Sequence, residues 1–153
     1  MMRATNNNSL MVGGNESIRS VNETSYLFAE YVCREYEKIG MRFSYRYILQ
    51  PLMENKSLTQ LELVNITGQK PPTISITLRN MERDGIVSRD KNDDDRRETH
   101  VALTDKGKKM YAKVVEILDK AQEVMLSGLS DKELKSMRTS LGKMSTNLKN
   151  SIK

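Results

Sequence analysis

The 153-residue sequence contains one cysteine, one histidine, three prolines and no tryptophan. A single cysteine excludes an internal disulfide framework, and one cysteine with one histidine excludes the clusters that hold structural zinc. No apolar run approaches the ~20 residues that cross a membrane, and the N-terminal MMRATNNNSLMVGG lacks the apolar core of a secretory signal. We therefore expect one cytoplasmic domain that has no membrane contact and needs no metal or other cofactor.

The net charge and the set of reactive side chains limit the functions that the protein can have. The chain carries 25 basic and 20 acidic residues, a net charge of +5, which favours a nucleic-acid partner only mildly. No Ser-His-Asp set, glycine-rich phosphate loop or metal cluster is present, and a single histidine leaves few acid–base options. The sequence therefore disfavours an enzyme and predicts no catalytic residue.

Hydrophobic periodicity predicts a polar, loose tail over residues 1–19, followed by helices. Ser20 and Glu23 have the spacing of a capping box, which predicts the start of the first helix. A second helix is expected from Ser44 to about Glu54, and Pro51 inside it should kink it or end it early.

The next segment predicts two short helices around a tight turn, that is, a helix-turn-helix. Thr59 and Glu62 form a capping box at the start of the first of these helices. Pro71 and Pro72 can open the second, because proline is tolerated in a first helical turn. The apolar residues of this second helix recur at helical spacing: Ile74, Leu78 and Met81.

A strand-like pattern follows the helix-turn-helix. Residues 86–89 and 99–103 read as two strands joined by a charged loop, so they predict a β-hairpin, which in this position is a wing. A long helix should start at Thr104 as its N-cap. The expected fold is mainly α with a small β wing (α+β), with a winged helix-turn-helix over residues 44–104.

The last helix predicts a dimer. Ser130 and Glu133 form another capping box, and the apolar positions that follow alternate at intervals of three and four, as in a coiled coil. We expect residues 20–43 and 105–153 to form a helical dimerisation region, because a two-fold dimer would cover this seam. The alternative is that the late helices pack only within one chain. The seam consists of Leu134, Met137, Leu141, Met144 and Leu148.

The second helix of a helix-turn-helix enters the DNA major groove. With its apolar stripe facing inward, the opposite face and its flanks should meet bases and phosphates, and a methyl group there can touch thymine. The alternative is that these residues are merely solvated, but the capping signals, the turn and the wing agree with one another. The candidate DNA contacts on this helix are Lys70, Thr73, Ser75, Ile76, Thr77, Arg79, Asn80 and Arg83.

The predicted tip of the wing carries two further candidates, Arg96 and Arg97, which suit a narrow and negatively charged minor groove. Asp95 is expected to pair with a neighbouring arginine and hold it in position. Between Lys70 and Arg97 there are seven basic and six acidic residues, so the module is barely cationic. A solvated charged turn is the competing interpretation, and it is stronger for Arg96 than for Arg97.

The segment LTQLELVNITGQKPPTISITLRNMERDGIVSRDKNDDDRRETHVALTDKG resembles the MarR family of transcription regulators. The Asp-Arg-Arg block, followed by Val-Ala-Leu-Thr and a glycine, matches the family signature, and the resemblance extends from about Val21 to Lys149. It implies a winged helix-turn-helix, a dimerisation domain built from the first and last helices, and a repressor, less often an activator. It also implies that Arg97 reaches the minor groove and that Asp95 is its partner.

Two positions depart from the family pattern. Pro51 stands where a small or apolar helix former is usual. Ile76 stands where many members carry an arginine after the serine of the recognition helix, so one direct base contact is missing. Sequence specificity is then expected to depend more on the wing and on DNA shape.

Aromatic residues cluster early in the chain. The resemblance implies that small phenolic or apolar ligands bind near the first two helices, and an aromatic cluster there suits a ligand pocket. Ordinary core and dimer packing is the alternative. Cys33, inside the first helix, is expected to be a buried and inert thiol. The candidate ligand-binding residues are Phe28, Tyr31, Tyr36, Phe43, Tyr45 and Tyr47.

The sequence therefore predicts a homodimeric regulator that binds double-stranded DNA at a pseudo-palindromic operator and is released by a small aromatic or apolar effector. Two alternatives remain open. One is a DNA-binding regulator without an effector, and the other is a winged-helix protein–protein adaptor, which would show no salt-dependent affinity for DNA.

Overall fold

In the computed structural model, the described residues are 15–91 and 99–152. One compact unit ends at Ala121 and a second begins at Gln122. The helices are α1 (Glu16–Lys38), α2 (Arg46–Glu54), α3 (Gln60–Thr67), α4 (Pro71–Arg83), α5 (Asp105–Leu126) and α6 (Asp131–Ser151). A 3-10 turn (Phe43–Tyr45) precedes α2, and the strands are β1 (Ser57–Thr59), β2 (Val87–Lys91) and β3 (Thr99–Leu103).

Helix α1 begins earlier than the sequence predicted. Its N-cap is Asn15, whose side chain accepts a hydrogen bond of 2.8 Å from the backbone N–H of Ser17. Ser20 lies inside the helix, where its hydroxyl donates to the Glu16 carbonyl at 3.1 Å. The predicted capping box at Ser20 and Glu23 is therefore wrong, as is a tail extending to residue 19. A serine at this position can satisfy its hydroxyl on the preceding turn, so the spacing alone did not identify a helix start.

Helix α2 runs through Pro51 to Glu54, so the proline does not end it early. The Pro51 carbonyl accepts a hydrogen bond of 3.1 Å from the backbone N–H of Asn55, which closes the helix. In α1, Cys33 is only partly buried, and burial raises the pKa of its thiol. A raised pKa leaves less thiolate at neutral pH, which agrees with an unreactive cysteine.

The helix-turn-helix forms as predicted. Thr59 caps α3 and completes a reciprocal capping box with Glu62, and Gly68 ends the helix in the left-handed region at φ 65°. Glycine suits this position because it has no Cβ to clash there. The inward stripe of α4 lies in the core, with Ile74 at 1 % exposure and Leu78 and Met81 at 0 %.

The wing belongs to a three-stranded antiparallel sheet with the order β1-β3-β2. Strands β2 and β3 pair from Val87↔Leu103 to Lys91↔Thr99, as the hairpin prediction required. Strand β1 was not predicted, because three residues are too short to produce a period. Leu58 in β1 is paired with Val101 and is buried. The sheet thus joins the start of the helix-turn-helix to the wing.

The second unit contains α6, which starts at the predicted capping box of Ser130 and Glu133. No residue of α6 is buried. Among the described residues, no helix combines the length and the apolar character that a membrane span requires.

The start of α5 depends on one glycine. The Thr104 hydroxyl accepts a hydrogen bond of 3.1 Å from the backbone N–H of Gly107, as expected for an N-cap. A Cβ atom built at Gly107 would lie 2.2 Å from the backbone carbonyl oxygen of Ile86 and 3.1 Å from a methyl group of Leu103. Only glycine allows the first turn of α5 to approach the backbone after α4 this closely.

We predict that Gly107→Ala lowers the free energy of unfolding by ~1–3 kcal/mol or more, because the clash is with a backbone carbonyl. The matched control is Gly142→Ala in α6, where nothing lies within 4 Å of the added Cβ. This control should stabilise its helix by up to ~1 kcal/mol, the usual difference between alanine and glycine. Urea unfolding of both variants measures the contrast, and equal effects would contradict the close approach at Ile86.

Candidate nucleic-acid interface

The outward face of α4 consists of exposed side chains on one side of the helix. Thr73, Arg79 and Arg83 are exposed, and Ile76 keeps 58 % of its surface accessible although it is apolar. The opposite stripe is held in the core, so these four side chains cannot turn inward. We call this set of four residues the outward face.

Thr77 does not belong to the outward face. It is buried, with 5 % of its surface exposed, which corrects the expectation that it faces the major groove. It lies three residues after Ile74 and four before Met81, so helical geometry places it beside the apolar stripe. Its polar character suggested an outward position, but the spacing of residues along the helix turns its side chain towards the core. Two further candidates, Ser75 and Asn80, are partly buried at the edges of this stripe.

The start of α4 has fewer backbone donors than most helices. Pro71 and Pro72 occupy the first positions of the helix, and proline has no N–H. The N-cap residue Lys70 makes no side-chain cap and is exposed. A phosphate at this end would therefore be bound mainly by the Lys70 ammonium group rather than by free backbone amides, on which helix N-termini usually rely.

The wing is tied to α4 by an ion pair. The Arg89 guanidinium Nε on β2 lies 3.0 Å from the carboxylate Oε2 of Glu82 on α4. The last described pair of the hairpin is Lys91↔Thr99. The candidates Asp95, Arg96 and Arg97 are outside the described residues, in the sequence that connects these two strands.

The end of α4 is held by a cluster around Asp84, its C-cap residue. The phenol of Tyr45 donates a hydrogen bond of 2.5 Å to Oδ2 of Asp84, and Tyr45 is fully buried. The Nε atoms of Arg42 and Arg83 lie 3.5 and 3.3 Å from the two carboxylate oxygens. A carboxylate at a helix C-terminus is opposed by the helix dipole, so these donors compensate for its position.

The cluster shifts the pKa values of Asp84 and Tyr45 in the directions that these contacts require. The hydrogen bond from Tyr45, helped by Arg83 and Arg42, holds the pKa of Asp84 below its usual range. Burial, followed by the hydrogen bond to Asp84, raises the pKa of Tyr45 to about 12. Sequence reasoning missed this contact, because the two residues are 39 positions apart and no local pattern relates them.

A cavity of about 440 Å³ lies between α1, the 3-10 turn, α2 and α5. It is lined by aromatic and aliphatic side chains, and its volume is within the range of small-molecule sites. Of the six predicted ligand residues it includes Phe28, Tyr36, Phe43 and Tyr47. Tyr31 is not among the lining residues, and Tyr45 is part of the core instead.

Nine of the lining residues were not predicted, among them Tyr111 of α5 and Arg46 of α2. The only sequence signal for Tyr111 was that it is the one aromatic outside the early cluster. Arg46 carries the cavity's cationic group. The carbon at the centre of its guanidinium lies 3.3 Å from the ring centroid of Phe43 and 4.1 Å from that of Tyr47.

The fold and the outward face together define a winged-helix DNA-binding protein. Residues 46–121 match the family described as winged helix DNA-binding domain. A mutant of MepR from S. aureus superimposes with a TM-score of 0.76 and 25 % identity, covering 88 % of this chain and 99 % of that one. A MarR-like transcription regulator from Bacillus cereus gives a TM-score of 0.73 at 22 % identity, with 87 % and 96 % coverage.

The chain therefore carries a winged-helix DNA-binding domain, and it shares its fold with the MarR-type transcription regulators to which it is similar. A second S. aureus MepR mutant, bound to an oligodeoxyribonucleotide, is 24 % identical, with a TM-score of 0.66 and coverage of 88 % of this chain and 99 % of that one. The resemblance identified from the wing signature is therefore confirmed, as is the predicted fold class.

We predict that Tyr45→Phe lowers the free energy of unfolding by ~1–3 kcal/mol, since it removes a hydrogen bond to a charged group and keeps the buried ring. The phenol is more acidic in the unfolded chain, with a pKa of 10.0, than in the folded one, at about 12. The stabilisation is therefore complete below pH 10 and is lost as the pH rises towards 12.

At acid pH the free energy of unfolding changes with pH in the opposite direction, through Asp84. Because folding lowers the pKa of Asp84 from 3.8, its contribution is present above that value and is lost as the pH falls through the folded pKa. Urea unfolding of the wild type and Tyr45→Phe across both ranges measures this dependence. A difference between the two proteins that stays constant from pH 8 to the alkaline limit would contradict the assigned contact.

Proposed function

We propose that this regulator acts as a homodimeric repressor on a pseudo-palindromic operator, reading the major groove with the outward face of α4. The observation that carries the proposal is the division of α4 into two sides. One side anchors the helix in the core, and the other presents two arginines, a threonine and an exposed isoleucine. Repression is the expectation that the family resemblance supplies.

Each residue of the outward face has a chemistry that suits DNA. Arg79 and Arg83 can bind phosphates or guanine edges, and Thr73 can bind either. Ile76 offers methyl groups, which suit the thymine methyl in the major groove. The partly buried Ser75 and Asn80 are assigned to the rim of the contact, together with Lys70 at the helix start. Thr77 is not proposed as a contact.

The wing supplies the second part of the proposed interface. Arg97, with Arg96 beside it, is proposed to enter the adjacent minor groove, and Asp95 to orient the guanidinium group. The ion pair between Arg89 and Glu82 supports this arrangement, because it joins the base of the wing to α4. A movement of the helix would then be transmitted to the wing.

We predict that Ile76→Ala changes sequence preference by about 1 kcal/mol at the contacted base pair and leaves thermal stability unchanged, since the side chain is exposed. Thr77→Val is the matched control: it is buried and nearly isosteric, so it should alter stability without altering preference. Selection of bound sites from a random DNA pool, with melting of each variant, measures both. A changed preference in Thr77→Val would assign the contact to the wrong face.

The protein–protein adaptor alternative is tested with the same DNA. Arg79→Ala removes one cation from each protomer, so a dimer should lose ~2 from the slope of log affinity against log salt concentration. Fluorescence anisotropy at several salt concentrations gives this slope. A wild-type protein without any salt-dependent DNA affinity would support the adaptor.

The dimer proposal depends on an apolar seam along α6. Met137, Leu141 and Met144 are each more than one-third exposed, and Leu148 is 64 % exposed. Together with Leu134 they recur at intervals of three and four, the pattern of helices that pair. Exposed apolar side chains on α1, including Val21 and Leu27, provide a second surface of the same kind. A two-fold dimer would cover both surfaces and present two copies of α4 to successive major grooves.

We predict that the double substitution Leu141→Asp and Leu148→Asp gives a monomer with weakened operator binding, because an apolar interface cannot accept unpaired charges. The control is Thr139→Asp with Thr146→Asp, which adds the same charge on the opposite side of α6. Analytical ultracentrifugation measures the oligomeric state, and circular dichroism checks that α6 is retained. A dimer that survives the leucine substitutions would place the interface elsewhere.

Control of DNA binding by a small aromatic or apolar ligand is the remaining part of the proposal. The cavity lined by Phe28, Tyr36, Phe43 and Tyr47 supports it, because it is apolar, aromatic and large enough for a ligand. Such a ligand can weaken DNA binding only if it binds the DNA-incompetent conformation more tightly. A regulator without an effector is the alternative, and it would show no binding in this cavity.

A further inference from the structure

We infer that Arg42, in the turn before α2, is a further contact to the DNA backbone. Together with Arg83 it forms a two-arginine phosphate site at the C-terminal end of α4, and Asp84 is the positioning residue that holds both guanidinium groups. The inference rests on the proposed function, in which α4 enters the major groove. It deepens that function by assigning a phosphate contact that lies outside both the helix-turn-helix and the wing.

The first observation is that the proposed interface has little positive charge of its own. The segment from Lys70 to Arg97 carries seven basic and six acidic residues, so its net charge is only +1. Affinity for DNA depends strongly on cations that neutralise phosphates and release counterions. The start of α4 supplies few phosphate donors, since Pro71 and Pro72 have no backbone N–H. A regulator built on this segment therefore needs cations from elsewhere in the chain, and they must lie close to α4.

The second observation is that three cations from different elements meet at the end of α4. The Nε atoms of Arg42 and Arg83 lie 3.5 and 3.3 Å from the two carboxylate oxygens of Asp84. The ammonium group of Lys106, in the first turn of α5, donates to the backbone carbonyl of Asp84 at 2.7 Å. One carboxylate cannot neutralise three cations, so these four residues together carry a net charge of +2.

The third observation is that both arginines can still reach a further acceptor. In each of them Nε is the nitrogen nearest to Asp84, and both side chains are more than half exposed. Among the described residues, Asp84 is the only carboxylate within ion-pair distance of either arginine. A guanidinium group presents its donors as a planar fork that suits the two free oxygens of a phosphate diester. Arg42 and Arg83 are therefore placed to bind one phosphate group together.

Asp84 contributes by holding the two arginines in place. Its carboxylate stays ionised at neutral pH, because the hydrogen bond from Tyr45, helped by Arg83 and Arg42, holds its pKa below the usual range. Tyr45 is fully buried, so the carboxylate is itself fixed. An arginine that is already oriented loses less conformational entropy when it binds a phosphate. We expect this gain to exceed the repulsion between the single carboxylate and the phosphate.

The contact is tested by titrating the full-length protein with a duplex selected from a random DNA pool and with a random duplex of the same length. Fluorescence anisotropy at several salt concentrations gives the slope of log affinity against log salt concentration. Arg42→Met removes one cation from each protomer, so this slope should fall by ~2 in a dimer. Between 50 and 200 mM salt the wild type should then lose ~16-fold more affinity than the variant. Because phosphate contacts carry no sequence information, both duplexes should lose affinity by the same factor.

Two further variants separate the contact from a general loss of charge. Arg34→Met is the matched control, since Arg34 is an exposed arginine of α1 that pairs with Glu30, and it should keep the wild-type slope. Arg42→Lys should keep most of the slope because it keeps the charge, and it should lose part of the affinity because it lacks the planar fork. A wild-type slope in Arg42→Met would overturn the inference. If the melting temperature of that variant also fell, Arg42 would only stabilise the end of α4.

The positioning role of Asp84 is tested by the sign of a second effect. Asp84→Asn removes a negative charge beside the proposed phosphate, so charge alone predicts tighter binding. We expect weaker binding instead, by roughly 2- to 10-fold for each arginine that is no longer held, the usual entropic cost of fixing such a side chain. Tighter binding by Asp84→Asn would overturn the positioning role.

A double-mutant cycle at low salt distinguishes positioning from a loss of stability. In protein that already carries Arg42→Met and Arg83→Met, Asp84→Asn should no longer weaken DNA binding, because the groups that it positions are absent. A penalty that persists in this background would show that Asp84 acts through the fold alone, and the positioning role would be wrong. A wild type without salt-dependent DNA affinity would contradict the proposed function and this site with it. A salt-dependent wild type whose slope is unaffected by Arg42→Met would contradict only the phosphate site.

Discussion

The structure of the DNA-binding unit depends on residues 84–86, which directly follow α4. The last carbonyl groups of a helix have no partners within it and must find donors elsewhere. Here the start of α5 supplies them. Lys106 donates to the Asp84 carbonyl at 2.7 Å, and the Thr104 hydroxyl donates to the Gly85 carbonyl at 2.7 Å.

Residues 84–86 also determine how closely α5 and the turn before α2 approach the end of α4. The first turn of α5 approaches the Ile86 carbonyl so closely that only glycine fits at position 107. Asp84 adds the link to Tyr45 and Arg42, which precede α2. The position of α4 is therefore set at its C-terminal end by groups from two other parts of the chain, the start of α5 and the turn before α2.

This arrangement provides a physical basis for the proposed control of DNA binding by a ligand. A helix fixed by one charged cluster can be repositioned by a small change in that cluster, because interactions that involve charge in a partly buried site are strong and directional. The turn before α2 is in contact with both the cluster and the cavity. Arg42 and Tyr45 serve the end of α4, whereas Phe43 and Arg46 line the cavity, so the two functions alternate along five residues.

The parts of the protein that local rules determine were predictable from sequence. The capping boxes at Thr59 and Ser130, the inward stripe of α4 and the hairpin after Gly85 each depend on residues within a few positions of one another. Their order along the chain is what identified the winged helix. The early aromatic cluster also predicted four of the residues that line the cavity, because α1, the 3-10 turn and α2 follow one another in the chain and carry them.

Only the tertiary structure decided the rest, for reasons of distance and period. Thr77 is polar, but the helix turns it towards the core. Tyr45 read as a ligand residue, yet its partner lies 39 positions away, and this contact removes it from the cavity. Tyr111 of α5 and Arg46 of α2 line the same cavity, although no local pattern relates them. The three residues of β1 are recognised as a strand only because β3 pairs with them. Local spacing determined which elements form, and long-range packing decided which side chains stay exposed on α4 and which line the cavity.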